Sequence, residues 1–162
     1  IDIEATDEQK TIFYTGLYHV LMQPNTMSDV DGRYMTTNYE IKQMPQGQVY
    51  HSTFSLWDTF RAAHPLYTLL APGVAAQFVR DMVLHHESYG YLPIWDLWGQ
   101  ENYCMIGNHA IPVLSDAILA ELPDIDIDLA TSKRPAIFEA IRRERGDLGL
   151  GQVATYGTEG TK

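Results

Sequence analysis

Ile12, Phe13, Leu17, Val20 and Leu21 recur at the three- and four-residue spacing of one helical face. Ahead of them, Thr6-Asp7-Glu8-Gln9 offers a side-chain acceptor followed three residues later by Gln, the capping-box arrangement. A first helix is predicted, stopping before Pro24. From residue 28 to 54 the rhythm changes to partial alternation among Gly, Asp, Asn and Tyr. Tyr39, Ile41 and Met44 precede the turn Pro45-Gln46-Gly47-Gln48, and Val49, His51 and Thr53 follow it, which predicts an excursion containing a β-hairpin.

Helical spacing returns over residues 57–70, where Pro65 must sit in a first turn or break the helix, so residues 58–63 form a short piece before a second one. Val74, Phe78, Met82, Val83 and His86 give residues 73–89 an i, i+4 rhythm that ends at Gly90 in C-cap position. A Gly-Tyr-Leu-Pro-Ile-Trp-Asp-Leu-Trp-Gly loop then leads into a helix predicted over residues 104–122, with Pro112 as a kink. Beyond it come the connector Asp124-Ile125-Asp126-Ile127-Asp128 and a last helix capped by Ser132, running from Lys133 through Arg145 to Gly146. The predicted class is mostly α, with helical hairpins able to stack into a bundle, a solenoid or part of a toroidal barrel.

At 162 residues the chain has the size of one domain, but Ile1-Asp2-Ile3 lacks an initiator methionine and the Gly157 to Lys162 tail resembles a cut loop, so a piece of something larger is expected. The formal charge of -10 argues against nucleic acid or an anionic membrane surface as partner. Cys104 is the only cysteine, which excludes an intrachain disulfide and Cys-rich zinc sites. No apolar run approaches a membrane span.

Glu101 is flanked on both sides by aromatic and apolar residues, from Trp95 and Trp98 to Tyr103 and Ile106. Desolvation there would raise its pKa, the property a proton donor needs near neutral pH, while the alternative is that Glu101 caps the helix that follows. Trp57-Asp58-Thr59-Phe60-Arg61 sets a carboxylate and a guanidinium three residues apart beside an indole, a combination suited to a sugar ring or, alternatively, to a local ion pair. Trp95, Asp96 and Trp98 repeat this chemistry. Ser28 to Tyr34 reads as a turn organised by Asp29, Asp31 and Gly32, lacking calcium-loop spacing, and the Asp124, Asp126, Asp128 triplet lacks the Gly and closing Glu of that motif. His85-His86-Glu87 has no second ligand pair and reads as one core His and one facing solvent. No phosphate loop, dinucleotide fingerprint or nucleophile elbow occurs.

Four blocks in order, Phe13 to Tyr18, Ser28 to Tyr34, Phe54 to Arg61 with His64-Pro65-Leu66, and residues 92–116, resemble the catalytic domain of glycoside hydrolase family 92, the calcium-dependent exo-acting alpha-mannosidases. The resemblance implies part of an (alpha/alpha)6-type helical barrel, with the β-excursion at about 28–54, and an N-terminal β-sandwich and the C-terminal part of the catalytic domain not included in this chain. It implies inverting hydrolysis of alpha-mannosidic bonds and assigns the general acid to Glu101, with the base and the calcium ligands beyond this chain, so that no metal ligand is expected within it. Trp57, Asp58, Arg61, Trp95 and Trp98 are the candidate substrate-binding residues. The implied partners are a mannose-containing glycan and the remainder of the catalytic domain, and the implied location of the parent is periplasmic or secreted. The rival expectations are a non-catalytic carbohydrate-binding helical domain and a helical-barrel glycosidase acting on another sugar.

Overall fold

In the computed structural model, which describes residues 1–122, helix α1 spans Asp7–Val20 and starts on the predicted capping box. Gln9 N donates to Thr6 Oγ1 at 3.3 Å and Thr6 N donates to Gln9 Oε1 at 3.0 Å. The predicted connector at 124–128 and the helix from Lys133 lie outside the described residues. Short strands follow: β1 (Asn25–Thr26), β2 (Arg33–Met35), β3 (Ile41–Gln43), β4 (His51–Ser52) and β5 (Phe54–Ser55). Next come α2 (Leu56–Thr59), α3 (Ala63–Leu70), α4 (Pro72–Tyr89), the strands β6 (Trp95–Leu97) and β7 (Gln100–Glu101), and α5 (Ala110–Leu119). The described chain is mostly helical with small antiparallel sheets.

The split between α2 and α3 and the place of Pro65 in the first turn of α3 follow the prediction. So does the end of α4, where Gly90 takes φ 93, a left-handed conformation open to a residue without Cβ. The turn at 28–34 is also as expected: Gly32 N bonds Asp29 O at 2.8 Å and Asp31 bonds Arg33 N at 3.1 Å.

Three elements differ. The hairpin pairs β2 with β3, Tyr34 opposite Lys42, so its loop is 36–40 and not Pro45 to Gln48, while β4 turns back to pair with β1. Thr36 decides this, because its Oγ1 accepts from Glu40 N at 3.1 Å and donates to Glu40 O at 3.0 Å, closing the loop locally. Secondly, α5 begins at Ala110 and not near Cys104. Tyr103 and Gly107 have φ 58 and 99, which no α-helix accommodates, and Asn102 Oδ1 takes the Cys104 amide at 2.8 Å. Pro112 thus lies in the first turn of α5, where no amide is missed, rather than at a kink. Thirdly, the loop after Gly90 contains the strand pair β6–β7.

The main core gathers Phe54, Leu56, Tyr67, Phe78, Val79, Met82, Leu92, Val113 and Leu114 between α3, α4 and α5. Each such side chain contributes about 1.5–3 kcal/mol on burial. A satellite core stacks Tyr34 on Tyr50 at 4.3 Å, with Met44 beneath the excursion. The excursion is fastened to α4 by Asp81, which is 0% exposed: its Oδ2 accepts from His51 N at 3.0 Å and faces His51 Nδ1 at 2.7 Å, and its Oδ1 accepts from Arg80 at 3.1 Å. Helix α1 buries no residue and is tied down by Tyr67 Oη, which donates to Val20 O at 2.6 Å and Gln23 O at 2.9 Å.

Removing the Asp81 carboxylate strands the His51 amide and leaves the Arg80 guanidinium with neutral acceptors alone, Gln48 Oε1 and Val49 O. Asp81→Ala should lower the unfolding free energy of the chain by about 3–5 kcal/mol in urea titration; a loss below about 1 kcal/mol would show that the clamp is not needed.

Candidate functional site

Strands β6 and β7 pair antiparallel, Asp96 opposite Glu101 and Leu97 opposite Gln100, which leaves Trp98 and Gly99 as a two-residue turn. Both turn residues have positive φ, 52 and 76, the backbone of the hairpin turn that follows the right-handed strand twist. Glycine is favoured at position 99 by its φ of 76, while a Cβ there would stand 2.5 Å from the Met27 methyl, the movable end of a flexible side chain. Trp98 holds a left-handed backbone that a bulky residue adopts only under constraint, and its indole is 72% exposed.

Glu101 is 7% exposed. Its Oε2 accepts from Ile94 N at 2.7 Å, and its Oε1 from Trp95 N and Tyr103 N at 3.1 Å each. It therefore caps the turn into β6 and not the helix after it. Burial raises its pKa, against the pull of the amides of Ile94, Tyr103, Trp95 and Asn102, which favour the anion.

Asp96 is 1% exposed. Residues directly opposite in an antiparallel pair project to one face, so Asp96 and Glu101 share a face, and Trp95 and Leu97 project to the other. Ser52 Oγ donates to Asp96 Oδ1 at 3.1 Å and accepts from Gly99 N at 2.6 Å. Burial first, then the charge of Glu101, pushes Asp96 up to about 7, while Ser52 and the Gly99 amide oppose the rise.

On the Trp95 face lies a cavity of about 630 Å³, lined among others by Thr53, His64, Tyr67, Trp95 and Trp98. Ser55 and Thr59, on either side of Asp58, also line it. Exposed Asp58 accepts a short hydrogen bond from Ser55 Oγ and does not itself line the cavity. Thr53, held at φ 71, is a second strained residue of this wall. His64 is buried and its pKa falls to about 4 because burial disfavours the imidazolium, so a neutral ring faces the cavity.

Trp57 and Arg61 stand apart from that cavity. Arg61 donates to Trp57 O at 3.0 Å, and its guanidinium lies 5.7 Å from the Trp57 ring and 5.2 Å from Phe60. It does not pair with Asp58, because the short helix α2 offers it a free carbonyl and two rings instead. His109 packs edge-on against Trp57 at 5.3 Å. The structure thus brings Trp95 and Trp98 to one cavity, leaves Asp58 outside its lining but bonded to Ser55 within it, and puts Trp57 and Arg61 in a neighbouring cluster, with Glu101 on the far face of β6. Of the two central histidines, His85 is buried and bonds Tyr91 O at 3.1 Å, and His86 is half-buried.

The sequence assigned no site role to Ser52, Thr53, Tyr67 or His109, and His64 entered only within the His64-Pro65-Leu66 block. Only His64 left a signal, a lone imidazole beside Pro65 on an apolar helix. The others become site residues through contacts between distant segments.

The catalytic-domain model of glycosyl hydrolase family 92 matches residues 1–157. Among solved structures, the family GH92 alpha-mannosidase BT3965 from Bacteroides thetaiotaomicron is 34% identical, with a TM-score of 0.75 over 84% of this chain and 18% of its own. The same enzyme in complex with mannoimidazole gives 34% identity and a TM-score of 0.74, over 83% and 18%. The GH92 inverting mannosidase BT2199 from Bacteroides thetaiotaomicron VPI-5482 shares the fold, with a TM-score of 0.77 over 99% of this chain and 21% of its own, at 24% identity. The chain therefore spans about a fifth of these mannosidases. Separately, 42 residues, 26% of the chain, are 55% identical to 3% of the probable DNA polymerase YorL of Bacillus subtilis (strain 168). The DNA-directed DNA polymerase of Bacillus phage SPbeta matches over the same 3% of its length. A stretch that short is less than a folding domain and carries no activity with it.

The unfolded imidazole binds its proton near 6.5 and buried His64 only near 4. The unfolded state therefore takes up more protons as pH falls through that window, and the stability tied to neutral His64 is lost there, about 3 kcal/mol by the lower end. Imidazole nitrogen NMR should find His64 neutral at about pH 5.5, and His64→Gln should flatten the acid side of the stability curve; a ring titrating at its ordinary value contradicts both.

Proposed function

We infer the function from one premise: this chain belongs to glycosyl hydrolase family 92, whose catalytic-domain model it matches over residues 1–157. On that premise the whole protein is an exo-acting alpha-mannosidase that cleaves alpha-mannosidic bonds in glycans with inversion. The chain is part of an (alpha/alpha)6-type helical barrel, which an N-terminal β-sandwich precedes and a further catalytic segment completes. Exposed apolar residues on α1, Ile12 at 67% and Tyr18 at 63%, are where missing helices would pack.

One observation carries the catalytic reading. Glu101 is a carboxyl in the Gly99-Gln100-Glu101-Asn102-Tyr103-Cys104 segment, buried enough for its pKa to rise, with its orientation fixed by main-chain amides. As general acid it gives its proton to the glycosidic oxygen while the bond from the sugar carbon breaks. The amides stabilise the anion left behind. An inverting base stands roughly 6.5–9.5 Å from the acid, with a water between. Asp96 does not meet that requirement, since it is sealed and directly opposite Glu101, with Cβ atoms roughly 4.5–5.5 Å apart. On the family resemblance, the base lies beyond this chain.

The mannosidase solved with mannoimidazole supports a mannose-containing glycan as substrate. Trp95 and Trp98 offer it aromatic faces and Asp58 a carboxylate bonded to the lining Ser55, with Trp57 and Arg61 completing the subsite from the neighbouring cluster. The family implies calcium, with its ligands beyond this chain; among the described residues no group of three or more His, Cys, Asp or Glu could hold a metal ion, and no step here passes through it. No helix among the described residues is long and apolar enough to cross a membrane. A periplasmic or secreted location for the parent rests on the family alone.

Exposed Trp98 and a Glu101 turned away from the cavity favour a second reading, a non-catalytic carbohydrate-binding helical domain in which Glu101 only anchors the hairpin. The two readings separate in the intact parent. Glu101→Gln should lower turnover of mannosides with poor leaving groups by about 10²–10⁴-fold and spare their binding. Unchanged turnover removes Glu101 from the mechanism. The isolated 162-residue chain, lacking the base, should show no mannosidase turnover even with added calcium; measurable turnover refutes the division of roles.

A further inference from the structure

His64 stands in the first turn of α3, 6% exposed, with its ring held among three others. Phe54 lies stacked 6.5 Å away, and Tyr67 and Phe78 meet it edge-on at 5.5 and 6.3 Å. Neither ring nitrogen bonds a group among the described residues, and neither is sealed from solvent. His64 lines the cavity of about 630 Å³ that Trp95 and Trp98 also line. It borders as well a cavity of about 250 Å³ between α3 and α5, lined by Arg61 and Asp116, which offers no indole.

The hydroxyls nearest at hand in the larger cavity have spent their protons. Ser55 Oγ donates to Asp58, Thr59 Oγ1 to Ser55 O at 3.1 Å, and Tyr67 Oη to Val20 O and Gln23 O at 2.6 and 2.9 Å. In the same lining, Thr53 Oγ1 is buried and unpartnered among the described residues, on a backbone at φ 71 that a β-branched residue adopts only under constraint. Buried polar groups in folded proteins are paired, so a lining with two such groups open is completed by what enters it. Burial keeps the imidazole uncharged near neutral pH, with one N–H donor and one bare nitrogen. The formal charge of -10 disfavours an anion as its partner. A hydroxyl, donor and acceptor at once and without charge, fits either nitrogen.

We propose that His64 is a specificity-determining residue of this cavity, hydrogen-bonding one hydroxyl of the sugar whose apolar face packs on Trp95 or Trp98. This role rests on the reading of the cavity as a sugar subsite. Taking the hydroxyl from the ligand, or the nitrogens from the protein, breaks the same bond and leaves its partner desolvated. The two losses are therefore not additive.

The test is a cycle between protein and ligand in the intact parent, read by calorimetric titration with methyl alpha-mannoside and its monodeoxy analogues. His64→Phe keeps a ring among Phe54, Tyr67 and Phe78 and removes both nitrogens. It should weaken methyl alpha-mannoside by about 10–100-fold and leave unchanged the binding of one analogue, the one that already lacks the hydroxyl His64 holds. An unchanged affinity for the mannoside, or an equal loss for every analogue, overturns the proposal. Should His64→Phe not fold, imidazole nitrogen-15 NMR of the unmutated parent decides. The mannoside should move the His64 nitrogen signals and one deoxy analogue should not; signals that stay in place, or move alike with every analogue, overturn it. Trp95→Ala keeps the two readings apart. If that variant binds methyl alpha-mannoside as tightly as the parent, the cavity is not the sugar subsite and both readings fall; if it loses binding while His64→Phe keeps it, only the role of His64 falls.

Discussion

A two-residue turn sets the terms for the chemistry of this chain. With Trp98 and Gly99 both at positive φ, β6 and β7 can pair with Asp96 opposite Glu101, and that pairing brings two carboxyls into one dry compartment. Each is then satisfied differently. Glu101 takes main-chain amides from Ile94, Trp95 and Tyr103, whereas Asp96 takes a hydroxyl from Ser52. The amides favour the anion of Glu101, but burial outweighs them and raises its pKa, and burial with little opposition leaves Asp96 a carboxyl that holds its proton. The same hairpin presents Trp95 and Trp98 to the cavity on its other face. One local backbone constraint therefore arranges both the aromatic wall and the acidic pair.

Local signals in the sequence survived folding and non-local ones did not show. The Thr6 and Gln9 capping box, the Pro65 first turn and the Gly90 cap are decided within a few residues, and the structure has all three. The β6–β7 hairpin was missed because Trp-Gly carries no turn signal of the Asn-Gly kind; Trp98 adopts its φ of 52 under tertiary constraint. The helix predicted from Cys104 was too long because apolar spacing cannot register that Tyr103 and Gly107 need positive φ. Flanking apolar residues did mark Glu101 as buried. They could not show that its oxygens would be claimed by amides six and seven residues back. Similarly, the Asp58–Arg61 spacing suggested a pair, but the carbonyl of Trp57 was the nearer acceptor.

Burial is uneven in a way that fits a part of a larger body. The faces between α3, α4 and α5 make a packed core, and Asp81 clamps the excursion to it. Helix α1 adds only Val20 to the edge of that core and leaves Ile12 and Tyr18 more than half exposed, as is Leu21 at its C-cap. The chain spans about a fifth of the solved mannosidases it matches. On the proposed reading, the cavity beside Trp95 would be one wall of a site completed by parts of the parent outside this chain.

The central claim is that Glu101 protonates the glycosidic oxygen. The most direct test is a crystal structure of the intact parent with a non-hydrolysable mannoside that spans the cleavage point. The account predicts a carboxyl oxygen of Glu101 within hydrogen-bond reach of the bridging atom, about 2.6–3.2 Å, with Trp95 or Trp98 against the sugar. A Glu101 still wholly engaged by the amides of Ile94 and Trp95, with a different carboxyl at the bridging atom, would contradict it.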